Sequence, residues 1–356
     1  MNPASAFRVG VTRDFLNSES QLVFGDIGLS MLTASPGVSV EFLPDYGAEL
    51  PADLGREFDA LLVLAPFVTA RTLATCDRLA IVARFGVGYD NIDVEACTAS
   101  NVLLTITPDG VRRPVAVSAL ALLMALSHRL MAKDLRLVKD AGMRSSTTWV
   151  LTLTGRTLGL VGFGNIGQEI ARIAAPLEMR MVAHDPYATQ ETANALQVDL
   201  LELDQLLKTS DFVCVCCALN KDTRHLLNRE RLALMKSTAF LINVSRGAVV
   251  DQAALTELLQ HRRIAGAALD VFEKEPIDSK DPLLQLDNVL LSPHAVCWTD
   301  ELFRGNGESA CRSILDVAQG RLPQGIVNRS VIEHSGLRTK LEHYAGLKNT
   351  RLPDNH

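Results

Sequence analysis

The sequence predicts an α/β protein built from two doubly wound parallel-sheet domains with a cleft between them. Three observations carry that expectation. The chain has 356 residues, enough for two domains, and its 47% hydrophobic content is ample for two cores. Short apolar runs alternate with polar or helix-patterned segments along both halves. The stretch Gly155-Arg-Thr-Leu-Gly-Leu-Val-Gly-Phe-Gly-Asn-Ile-Gly167 leads an apolar run through closely spaced glycines into a helical pattern.

In the first half, Arg8–Thr12, Val38–Phe42, Ala60–Leu64, Ala80–Arg84 and Val102–Ile106 read as strands. Segments between them, such as Thr69–Cys76, read as helices or loops. A long helical pattern runs from Arg112 to about Val138, with Pro114 suited to a first helical turn. The second half begins near Leu151. Its expected strands are Leu158–Val161, Met179–Ala183, Phe212–Ala218, Phe240–Val244, Gly266–Asp270 and Val289–Leu291. Gln168–Leu177, Leu201–Lys208 and Gln252–His261 read as helices, and a further helix is expected over Asp300–Gln319. The tail from about Ser335 is polar and mixed, and partial disorder is expected there.

The glycine stretch has the context of a dinucleotide fingerprint. Gly162 permits a tight turn, Gly164 lets backbone approach a pyrophosphate, and Gly167 lets helix pack on strand. The helix N-terminus offers N–H groups to the anion. The next strand ends at Asp185, about twenty residues past the glycines, where an acid would bond a ribose 2′-hydroxyl. Its charge would repel a 2′-phosphate, and Pro186-Tyr187 rather than an arginine follows. NAD is therefore expected over NADP.

Net charge is −6, with no long basic run, so nothing favours nucleic acid. No charged-then-apolar signal segment opens the chain. The longest apolar run, Val115–Leu126, is short for a bilayer and reads as a buried helix. The odd count of seven cysteines argues against a disulfide framework or a zinc ribbon. Cys214, Cys216 and Cys217 read as small hydrophobes in a core strand. No metal site and no membrane contact are expected, and reducing cytoplasm is the expected compartment.

Three later segments put reactive side chains at strand ends, where open α/β sheets bind ligands. Arg246 closes Ile242-Asn-Val-Ser-Arg and can grip a carboxylate through two parallel hydrogen bonds. Asp270, Glu273 and Glu275 follow Ala268-Leu269. His294 follows Leu291-Ser-Pro. A histidine paired with a carboxylate is an acid/base unit, and with an arginine anchor beside a nicotinamide it suits ketone reduction.

The chain resembles the D-isomer-specific 2-hydroxyacid dehydrogenases over roughly residues 61–327. The resemblance rests on Gly86-Val-Gly-Tyr-Asp-Asn-Ile-Asp93, the Gly162 fingerprint, Asn243-Val-Ser-Arg-Gly247, Leu269-Asp-Val-Phe272 with Glu275-Pro276, and Ser292-Pro-His294. It implies two Rossmann-like or flavodoxin-like domains. Residues 1–108 with 303–335 would bind substrate, 109–302 would bind NAD, and 336–356 would be a tail. Arg246, Glu275 and His294 would be catalytic, with Arg246 on the carboxylate and keto oxygen and His294 as acid/base. Glu275 matches the family partner because it directly precedes the proline. Backbone N–H groups of Val87 and Gly88 would hold the carboxylate. Gly162, Gly164, Asn165, Ile166, Gly167, Asp185, Thr223, Val244, Asp270 and His294 would contact NAD, Asp270 through the nicotinamide amide. The substrate would be a small 2-keto or 2-hydroxy acid, and the protein a homodimer formed through the NAD domain. Formate dehydrogenases carry a glutamine where Glu275 stands.

Departures from the family pattern bear on substrate scope. Thr107–Ser118 lacks the glutamate and histidine usual in that stretch. Trp298 replaces a smaller residue and would either line the pocket or pack as a core or interface residue. Ala65-Pro-Phe67 carries no charge, which suggests an apolar or small substrate tail. Arg112 and Arg113 would either bind a second carboxylate or remain solvated at a helix start. Two rivals stand: a cofactor-sensing corepressor-like protein, and a dehydrogenase using NADP or another oxyacid.

Overall fold

The structure, a computed structural model, describes residues 7–130 and 151–349. The chain splits into two compact units, Met1–Val111 with Trp298–His356, and Arg112–Cys297. The part of the expected long helix beyond Leu130, and residues 350–356 of the tail, lie outside the described residues.

The first unit holds strands β1 (Phe7–Val11), β2 (Val38–Phe42), β3 (Ala60–Val63), β4 (Ile81–Arg84) and β5 (Leu103–Thr105). They form one parallel sheet in the order β2-β1-β3-β4-β5. Both faces are covered at β3, β4 and β5, which read as apolar runs, while the edge strand β2 alternates with Ser39 and Glu41 exposed. One face packs Val9, Leu62 and Ala83 against Ala310, Ile314 and Val317 of the helix Asp300–Ala318. The other packs Leu61, Val63 and Val82 against Leu54, Leu73 and Cys97.

The polar tail is ordered as a helix, Ser335–Asn349, against expectation. Leu337 and Tyr344, two turns apart, are buried in the first core. Tyr344 donates to Asp59 Oδ1 at 2.9 Å. Lys340 Nζ donates to the carbonyls of Cys76 at 2.9 Å and Leu79 at 2.7 Å. Burial holds the Lys340 pKa below its ordinary value. Buried polar partners, invisible in composition, stabilise this helix.

The long apolar helix spans Pro108–Ser127, so it begins earlier than expected. Pro108 rather than Pro114 opens it, and Pro114 stands inside it. Gly110 in its first turn is a packing glycine: a methyl there would overlap Asn306. By length and composition this helix could cross a bilayer, yet 67% of its apolar window is buried. Ala116, Ala119, Leu123 and Leu126 sit in the second unit's core, as in the core helix of a folded unit.

The second unit contains seven strands: β6 (Thr157–Val161), β7 (Arg180–His184), β8 (Val198–Leu200), β9 (Phe212–Val215), β10 (Phe240–Asn243), β11 (Gly266–Leu269) and β12 (Val289–Leu291). All pair in parallel, in the order β12-β11-β10-β9-β6-β7-β8. Strand β8 and the helix Gln190–Ala195 stand where the sequence predicts neither. Strand β9 stops at Val215 although the apolar run continues to Leu219. Cys217 and Leu219 pack against the core without extending the strand.

Register then does the positioning. His184, Val161, Val215, Asn243, Leu269 and Leu291 form one row across six strands. The residues that follow them, including Gly162, Asp185, Val244 and Asp270, therefore emerge along a single carboxyl edge.

Candidate active site

The order of the sheet reverses between β6 and β9, which makes a crevice at that edge the expected ligand position. Gly162 sits there with φ +101°, and a methyl on it would lie 2.7 Å from the Cys217 nitrogen. A methyl on Gly167 would overlap the Gly162 carbonyl, so helix and strand pack as closely as the spacing predicts. Around Gly164 a methyl would meet nothing within 4 Å, which leaves its backbone open to an approaching anion. Asn165 opens the ten-residue helix Asn165–Ala174, and Ile166 packs against the core beneath it.

Asp185 reaches back to this turn. Its Oδ2 accepts from Phe163 N at 2.7 Å and its Oδ1 from Tyr187 N at 2.9 Å. Each oxygen keeps a second lone-pair position for a hydroxyl. The turn, the helix start and the carboxylate together fit a dinucleotide.

Val244 follows β10, with its N–H on Val215 O at 3.3 Å. Thr223 lies in an exposed loop, and its hydroxyl donates to Ala218 O at 2.7 Å. It also accepts from Asn220 N at 2.7 Å, so this side chain shapes the loop.

Asn243, buried at the end of β10, brackets the Arg246 turn. Its Nδ2 donates to Arg246 O at 3.1 Å, and its Oδ1 accepts from Ser245 N at 3.1 Å. The sequence motif contains Asn243, but its residue type alone assigns it no role. Arg246 donates from Nη1 to Ser245 O at 2.8 Å.

His294 and Glu275 meet. His294 Nδ1 lies 2.8 Å from Glu275 Oε2, and Glu275 Oε1 accepts from Phe272 N at 3.0 Å. Burial works against the Glu275 charge. The bonds from His294 and the Phe272 N–H and the nearby Arg246 charge outweigh it, holding its pKa below the usual carboxylate range. Glu275 is therefore ionised at neutral pH. His294 adopts φ +55°, and the loop behind it is tied by buried Asp270. Asp270 Oδ1 accepts from Ala295 N at 2.9 Å and from Val296 N at 3.0 Å. Glu273 turns elsewhere, to His225 Nε2 at 2.9 Å.

Val87 and Gly88 belong to the first unit, in the loop after β4, and both are half-buried. The loop starts at Gly86, with φ +121°. Gly86 N donates to Thr107 Oγ1 at 2.8 Å, and Thr107 N returns to Gly86 O at 3.0 Å.

Arg113 lies 3.5 Å from buried Glu169, and the Glu169 pKa is lowered by its bond from Arg172, with the charges of Arg112 and Arg113 adding to it. Trp298 stacks edge-on to Phe24 at 5.6 Å and to Phe303 at 5.8 Å, and is 55% exposed. Cys216 donates to Gly162 O at 3.1 Å, a packing role beneath the glycine turn. Among the described residues no cluster of three or more His, Cys, Asp or Glu could hold a metal ion.

Residues 120–295 match the family model described as D-isomer specific 2-hydroxyacid dehydrogenase, NAD binding domain. The chain is 40% identical over 313 residues to the glyoxylate reductase of Thermococcus onnurineus, spanning 86% of this chain and 93% of that one. The chain belongs to the D-isomer specific 2-hydroxyacid dehydrogenases. As a member of that family it is a nicotinamide-dependent 2-hydroxyacid oxidoreductase with two parallel-sheet α/β units. The glyoxylate reductase of Korarchaeum cryptofilum is 38% identical to this dehydrogenase, over 78% of this chain and 85% of that one. Among solved structures, the TT0316 protein from Thermus thermophilus superimposes with a TM-score of 0.78 at 32% identity, covering 90% of this chain and 99% of that one. The D-lactate dehydrogenase from Aquifex aeolicus, complexed with NAD and lactic acid, gives 0.77 at 26% identity with the same coverage.

Proposed function

We propose that this dehydrogenase reversibly reduces a 2-keto acid to the D-2-hydroxy acid, with NAD(H) as cofactor. The observation that carries this reading is the 2.8 Å contact between His294 and Glu275 at the edge that also presents Arg246. Bound there, a reduced nicotinamide supplies the hydride. Arg246 grips the substrate carboxylate and orients the keto oxygen. Val87 and Gly88 offer backbone N–H groups to that carboxylate. With Nδ1–H donated to Glu275, His294 presents Nε2 to give or take the oxygen's proton. The Glu275 charge stabilises the protonated imidazole. Gly162, Gly164, Asn165, Ile166, Gly167, Thr223, Val244 and Asp270 form the rest of the cofactor cradle.

NADH oxidation against a panel of 2-keto acids, with NADPH in parallel, tests this. Turnover on a 2-keto acid with an uncharged side chain is expected, because Ala65-Pro-Phe67 carries no charge. Best turnover on a phosphorylated acid would sink that substrate class. Tight NADH binding without turnover on any keto acid would favour a cofactor sensor.

Asp185 makes NAD the expected cofactor. Asp185→Ala should raise the use of NADPH relative to NADH about tenfold or more, since like-charge contact costs several kcal/mol. An unchanged NADPH/NADH ratio of kcat/KM would remove Asp185 from that role. A homodimer formed through the NAD-binding unit is also part of this reading. Light scattering should give twice the 38.7 kDa chain mass, and a monomer would refute it.

A further inference from the structure

Three loops at the carboxyl edge of the second unit converge on Glu273. This glutamate belongs to the segment that also carries Glu275, yet it makes no bond to His294. Its Oε1 takes His225 Nε2 at 2.9 Å and the Gln252 N–H at 2.8 Å. Its own N–H donates to Gln252 Oε1 at 3.0 Å. Gln252 opens the helix Gln252–Gln260, so Glu273 is moored to a rigid element. On the far side, His225 lies two residues beyond Thr223. Its backbone N–H donates to Ala248 O at 2.8 Å, just past the Arg246 turn. A methyl on Gly247 would overlap the Phe272 carbonyl and the Glu273 nitrogen, so that turn lies directly against the same segment.

We propose that His225 and Glu273 are positioning residues that tie the Thr223 loop to the segment bearing Glu275. A cofactor that settles this loop then also steadies the His294–Glu275 pair, and by linkage an ordered pair favours the cofactor. The proposal rests on the dehydrogenase reading. It does not rest on stability. The two side chains are 42% and 34% exposed, and ion pairs of that kind add little to folding. What they add is geometry, because a small misplacement of a catalytic group costs rate steeply.

The test compares His225→Ala and Glu273→Ala with His225→Gln and Glu273→Gln. A glutamine amide at 225 can still donate to Glu273, and one at 273 can still accept from His225 and Gln252. NADH affinity is read by fluorescence, kcat and KM by turnover, and folding by the urea midpoint. Both alanine variants should lose about tenfold or more in kcat/KM and weaken NADH binding, with the midpoint unmoved. The glutamine variants should stay within about twofold of wild type. The double alanine variant should be no worse than either single one, as for two residues acting as a unit. Unchanged NADH affinity and kcat in His225→Ala would overturn the proposal. So would equal losses in all four variants that track a falling urea midpoint. A wild-type protein that reduces no keto acid defeats the dehydrogenase reading instead. NADH affinity in His225→Ala against His225→Gln then still decides the clamp.

Discussion

Replacing His294 with glutamine is expected to cut 2-keto acid reduction by about 10²–10⁴-fold, the usual contribution of a general acid/base group. NADH should still bind. The glycine turn and Asp185 are separate from His294, held by their own bonds to Cys216 and Phe163. Glutamine can keep a hydrogen bond to Glu275, so the loop behind it should stay tied to Asp270. What glutamine cannot do is exchange a proton with the substrate oxygen. The measurement is steady-state turnover beside NADH fluorescence titration. An unchanged rate would remove His294 from catalysis. Loss of NADH binding together with rate would instead make His294 a structural residue.

Gly247→Ala should damage both stability and substrate handling. The atoms its methyl would overlap are the backbone of Phe272 and Glu273, which cannot rotate aside as a side chain can. Either the Arg246 turn or the segment bearing Glu275 must move. Overpacking of this kind costs about 1–3 kcal/mol, occasionally more. Movement of the turn would also displace Arg246 from the carboxylate, so KM for the keto acid should rise while NADH affinity changes less. Chemical denaturation and a KM measurement read the two effects. A variant with wild-type midpoint and wild-type KM would show that the turn is loosely packed, contrary to the structure.

Much of the fold is legible in the chain because parallel strands covered on both faces are plain apolar runs. Val289–Leu291 is read to the residue and β1, β3 and β4 to within one; Val38–Phe42, an edge strand that alternates, is also read to the residue. Strand β8, Val198-Asp-Leu200, escapes such a reading because the exposed Asp199 interrupts its apolar run. The Ser335–Asn349 helix escapes it for a different reason. Its anchoring face includes Lys340 and Tyr344, whose partners are carbonyls and a carboxylate far away in sequence. A polar residue looks solvated until its buried partner is known. Pro114 suits a first helical turn, yet the helix already starts at Pro108, where Gly110 lets it approach Asn306.

Hydrophobic period, glycine spacing and residue chemistry within about two dozen positions are local properties of the chain. They were enough to assign the fold class, the glycine turn with its distant acid, and the reactive residue types at strand ends. The resemblance names Glu275 as the histidine's partner, but what Glu273 does instead is not local and is decided in the folded molecule. Glu275 faces His294 across 19 positions while Glu273 faces His225 across 48. Asp270 braces the histidine loop, and Asn243 braces the arginine turn. The reason is register. Parallel pairing brings the ends of six strands into one row, and side chains far apart in the chain become neighbours there.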